Sequence, residues 1–76
     1  MGKHFINYGK ELLIHHAGRH GRRITLSDGS QWEFSDDPSW IAGQRVVVHE
    51  AVMDLPAIRL CNLDVDGGEE LEARLL

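Results

Sequence analysis

Arg22-Arg23-Ile24-Thr25-Leu26-Ser27-Asp28-Gly29-Ser30-Gln31-Trp32-Glu33-Phe34 is the stretch that decides the fold. Two runs of alternating apolar and polar residues flank Ser27-Asp28-Gly29, the pattern of a β-hairpin whose every second side chain turns to a buried face. Parity sets the loop length. A two-residue Asp28-Gly29 turn would oppose Leu26 to Gln31 and Ile24 to Glu33, carrying polar side chains onto the apolar face. A three-residue Ser27-Asp28-Gly29 loop opposes Leu26 to Ser30 and Ile24 to Trp32. Ile24, Leu26, Trp32 and Phe34 then share one face, and Gly29 takes the left-handed bulge position.

Outward from this hairpin the chain keeps the same period. Arg45-Val46-Val47-Val48-His49-Glu50 and Ala57-Ile58-Arg59-Leu60-Cys61-Asn62 read as strands, as does the alternation of Leu71, Ala73 and Leu75 with Glu70, Glu72 and Arg74. On the N-terminal side, Lys10-Glu11-Leu12-Leu13-Ile14-His15-His16 fits one strand or two helical turns, and is read as a strand preceded by extended Phe5-Ile6-Asn7. Turns fall at Ser35-Asp36-Asp37-Pro38-Ser39, Asp54-Leu55-Pro56 and Asp64-Val65-Asp66-Gly67-Gly68. The expected core is Leu12, Ile14, Ile24, Leu26, Trp32, Phe34, Val46, Val48, Ile58, Leu60, Leu71, Ala73 and Leu75. Residues 1–76 are thus expected to form one all-β domain, a small SH3-like or OB-like barrel of five to six short antiparallel strands. Closure would remove exposed strand edges that a flat sheet leaves bare.

The segments Leu26-Ser27-Asp28-Gly29-Ser30-Gln31-Trp32-Glu33-Phe34, Trp40, Gly43-Gln44-Arg45-Val46-Val47-Val48 and Ile58-Arg59-Leu60-Cys61-Asn62-Leu63 carry a resemblance. Together they are similar to the pattern of small bacterial SH3-like β-barrel proteins: Asp-Gly-Ser, Trp-Glu, a later Trp, Gly-polar-basic-Val and a closing Asn-Leu. The resemblance covers the later two thirds of the chain. It implies a fold and a bacterial or phage origin, and it carries over no activity and no site residue.

Size and composition narrow the function. A chain of 76 residues is below the common domain length of about 100–150, and a deep substrate cavity would compete with its one core. The single cysteine, Cys61, forms no internal disulfide, and the N-terminal residues lack the apolar stretch of a signal peptide. A cytoplasmic location, no membrane span and no cofactor are therefore expected. Residues 1–25 carry a net charge of +4 and residues 26–76 one of −8, which predicts a two-signed surface suited to a polar partner.

The expected activity is non-catalytic binding of a protein partner, as an accessory or inhibitor protein. Acidic positions Asp36, Asp37, Asp64, Asp66, Glu70 and Glu72 would face a basic partner. Leu13, Val47 and Leu76 fall out of phase with the core and suggest an apolar patch or homodimer seam. The alternative is RNA or single-stranded DNA, met by the run 15–23 through His16, Arg19, His20, Arg22 and Arg23. Arginine forks would take phosphates, and Trp32, Trp40, Phe34 or Tyr8 would stack on bases if exposed.

No catalytic set is legible, because a nucleophile such as Cys61 needs an activating base and oxyanion donors. The five histidines lack ligand spacing, and on a regular strand His15 and His16 would point to opposite faces, so no metal site is assigned. Asp64-x-Asp66-Gly67-Gly68-Glu69 lacks the frame of a calcium loop and reads as a hairpin turn.

Overall fold

The computed structural model describes residues 6–18, 22–50 and 57–76. Among them there is no helix, and the strands are β1 (Glu11–Ala17), β2 (Arg23–Leu26), β3 (Gln31–Glu33), β4 (Arg45–His49), β5 (Arg59–Asn62), β6 (Glu69–Glu72) and β7 (Arg74–Leu75). They form one antiparallel seven-stranded sheet in the order β6-β5-β4-β1-β2-β3-β7.

The central hairpin has the register that parity requires. Ile24 faces Trp32, Thr25 faces Gln31, and the Leu26 N–H donates to Ser30 O at 2.9 Å across a three-residue loop. Gly29 sits at φ +90 with open space where a Cβ would stand. Gly29→Ala is expected to cost about 1–2 kcal/mol from the left-handed backbone alone. Chemical denaturation checks this, and a neutral result would show that the loop re-forms with another turn.

β1 lies at the middle of the sheet and serves two neighbours. Its first half pairs with β4, with Leu12 facing Val46, and its second half pairs with β2, with Ile14 facing Leu26. The register shifts between Ile14 and His16, a β-bulge that inserts one residue. The bulge lets Ile14 and Ala17, three apart, both turn inward. It also leaves His15 and His16 both exposed, which corrects the expectation that they take opposite faces.

Ile14, Ile24, Leu26, Trp32, Phe34, Val46, Val48 and Leu60 are buried as expected, whereas Leu12, Ile58, Leu71, Ala73 and Leu75 are half-buried and pack against that cluster. Trp40, absent from the expected core, is only 2% exposed and meets Phe34 edge to face at 5.0 Å between ring centroids. Its indole Nε1 donates to Glu69 Oε1 at 2.7 Å, so the ring bridges the connector after β3 to β6.

Two buried polar networks account for the motif residues. Ser30 Oγ donates to Asp28 Oδ1 at 2.6 Å and accepts from Trp32 Nε1 at 2.8 Å, while Asn7 Nδ2 donates to Asp28 Oδ2. Asn62 Nδ2 donates to Gln44 Oε1, and its Oδ1 accepts from the Asp64 N–H. The buried side chains of Ser30 and Asn62 thereby keep partners in place of water.

The expected barrel of five to six strands is corrected at one place. The final run of alternating residues is not one strand. At Ala73, whose N–H donates to Ile58 O, the chain leaves β5; Arg74 and Leu75 then pair with Glu33 and Trp32 of β3. One residue therefore carries the chain between opposite ends of the strand order. β6 and β7 do not pair with each other, so the sheet keeps an open seam.

Candidate functional site

The seam holds two adjoining recesses. The larger, about 620 Å³, has an apolar floor of Phe34, Ile58, Ala73 and Leu75 and a rim carrying Arg22, Arg74, Glu33 and Glu72. The smaller, about 290 Å³, lies between β6 and residues 34–38 and brings together Phe34, Pro38 and Leu71 with Asp36, Asp37, Glu69 and Glu72. Phe34, Ser35 and Glu72 line both, so they form one continuous groove.

At one end of the groove, Glu33 lies in register between Arg23 of β2 and Arg74 of β7 and is paired with both. The hydrogen bonds from Arg74 and then Arg23 hold its carboxyl below the ordinary range. The arginine side chains remain 67% and 75% exposed.

The acidic positions do not form one surface. Asp64 is tied to Arg45, whose NH2 reaches Oδ1 at 2.8 Å and whose backbone N–H reaches Oδ2 at 2.7 Å; these bonds lower its pKa. Glu70 holds Arg59 at 3.1 Å and the Nδ1 of His49 on the outer face of β4–β5–β6. Asp66 is exposed in the turn before β6. Asp37 accepts from the Ser39 N–H, and Asp36 and Glu72 are exposed with no ion-pair partner among the described residues. The groove thus gathers Asp36, Asp37 and Glu72, while Asp64 and Glu70 serve cross-strand pairs elsewhere.

Of the basic set, His16, Arg22 and Arg23 are exposed, and Arg19 and His20 lie outside the described residues. Trp32 and Trp40 are core, so their rings offer no stacking surface, and Phe34 exposes only the small part that lines the groove; Tyr8 is exposed. Leu13 and Val47 are diagonal neighbours on the outer faces of β1 and β4, joined by Leu63, which lies opposite Arg45. Leu76 is at the far side of the sheet, where its N–H donates to Gln31 O, so the three out-of-phase residues do not make one patch.

Cys61 faces Val47 and Glu70 across its two neighbouring strands, and His49 lies two positions further along β4. Sequence spacing held no sign of this cluster because strand pairing alone creates it. The backbone around Cys61 belongs to those strand ladders, so no convergent pair of N–H donors faces it as an oxyanion would require. Among the described residues no group of three or more His, Cys, Asp or Glu side chains converges to hold a metal, and no helix is long and apolar enough to cross a membrane.

The groove itself was missed by sequence reasoning. It depends on β6 and β7 parting at Ala73, and a run of alternating residues carries no mark of that event. No family model, curated protein or solved structure matches the chain.

Proposed function

We propose that this chain is a non-catalytic binding module that receives a protein partner in the seam groove. The observation carrying this reading is the apolar floor of Phe34, Ile58, Ala73 and Leu75 beneath a rim of both charge signs. Apolar surface gathered in a concavity favours an occupant that brings apolar side chains, and the rim charges orient it. The chain path supports the same reading, because β6 and β7 stand at opposite ends of the strand order yet follow each other in the chain, which brings the two edges of the sheet together.

The competing occupant is RNA or single-stranded DNA at the basic run 15–23, of which His16, Arg22 and Arg23 are described. Glu33 already engages Arg23, which lowers the charge offered to phosphates. A photo-crosslinking side chain at exposed Ser35, with one at exposed Gln31, which lines neither recess, as control, separates the occupants. Protein adducts of defined mass from Ser35 alone are expected in cell extract. Nuclease-sensitive adducts, with affinity falling as log salt by about 0.7 per phosphate contact and lost in the Arg19, Arg22 and Arg23 to Ala variant, would replace this reading.

A further inference from the structure

We propose that the free edge of β6 takes an extended segment of a partner as an added strand, with apolar residues facing the groove alternating with basic residues facing solvent. This rests on the protein-binding reading above and specifies its occupant.

The backbone supplies the first part. Ala73 donates to Ile58 O, so in an antiparallel ladder the alternate positions Leu71 and Glu69 also bond toward β5. The N–H and C=O groups of Glu70 and Glu72 therefore point away from β5, on the edge where Glu72 lines the smaller recess. β6 ends the strand order, and no described residue pairs with that edge. An edge of this kind is a template for another extended chain.

Side chains define what that strand must carry. On the inner side the slot presents Phe34, Leu71 and Pro38, which suit apolar residues at every second position. On the outer side stand Glu72, Asp36 and Asp37, and among the described residues no cation lines the slot. A second copy of this chain would bring its own β6 glutamates against these carboxylates, and like charges directly opposed are unfavourable. A basic strand meets the complementary charge.

The test titrates the full-length chain with an eight-residue peptide of alternating lysine and valine, followed by amide NMR and hydrogen exchange. A glutamate–valine peptide, a scrambled lysine–valine peptide and peptides with one proline at successive positions serve as comparisons. Expected are shifts at Glu69–Glu72 and at residues 34–38, with slowed exchange at the Glu70 and Glu72 amides. Proline should abolish binding at alternate positions only, where the peptide N–H would face β6. Asp36→Asn and Asp37→Asn should each weaken binding by up to about fivefold, the span of an exposed ion pair.

Binding that leaves the Glu70 and Glu72 amides unprotected, or that tolerates proline at every position, overturns strand addition while leaving the groove as a protein site. Equal binding of the glutamate–valine peptide overturns the charge assignment. Absence of binding by every peptide overturns the proposal, and the Ser35 crosslink then decides separately whether a protein occupies the groove.

Discussion

Replacing Trp32 by Ala is expected to cost about 3–5 kcal/mol, the range for deleting a buried large aromatic. A chain of 76 residues has a total stability of about 4–11 kcal/mol at the usual per-residue values, so this one change removes a large share of it. Trp32 is 0% exposed, faces Ile24 on one side and Leu75 on the other, and donates its indole N–H to Ser30 Oγ. It therefore joins β2, β3 and β7 around one ring. Trp32→Phe keeps most of that packing and loses the hydrogen bond and some volume, for about 1–2 kcal/mol. Urea denaturation followed by far-ultraviolet circular dichroism measures both. A Trp32→Ala cost under about 1 kcal/mol, the scale of a surface change, would show that the ring is not the centre of the core.

Acid should weaken the fold, with the Asp28 network as the first test. Burial would raise the Asp28 pKa, but hydrogen bonds from the Ser30 hydroxyl and N–H, and from Asn7, outweigh it and hold the carboxyl below its usual range. Glu33, held by Arg74 and Arg23, and Asp64, held by Arg45, are lowered too. A carboxylate whose folded pKa lies below its unfolded value stabilises the fold above the unfolded value, near 4, and loses that contribution as pH falls through the folded value. The urea midpoint should be level from neutral pH to about 5 and fall below about 4. Asp28→Ala strips two donors of their acceptor at Ser30, which is itself buried, and is expected to cost about 1–3 kcal/mol near neutrality. Asp28→Asn, which does not titrate, should flatten part of the acid slope. An unchanged slope would place the acid sensitivity with Glu33 and Asp64 instead.

The proposed occupant gives the charge on β6 a purpose beyond keeping copies apart. Glutamates on an edge strand are a common protection against self-pairing. Here the same charges stand beside an apolar slot, which converts a general barrier into a selective one. A strand carrying lysine or arginine on one face satisfies both conditions, whereas a neutral apolar strand leaves the carboxylates without counter-charge.

Alternation along the chain is enough to give the strand character of the described segments, the three-residue hairpin and most of the core. These follow from local parity: between neighbours in one hairpin, a shift of one residue exposes Trp32 and Phe34, and no distant contact can compensate. Tertiary structure alone decided the rest. Whether Trp40 is buried depends on Phe34 and Glu69, and whether His15 and His16 share solvent depends on β1 serving β4 and β2 at once. The groove exists because the last alternating run transfers at Ala73 from β5 to β3, a choice between two remote partners that look alike to the run itself. Side-chain alternation is a property of neighbours along the chain, but edge pairing is a property of distant strands, and the site belongs to the second.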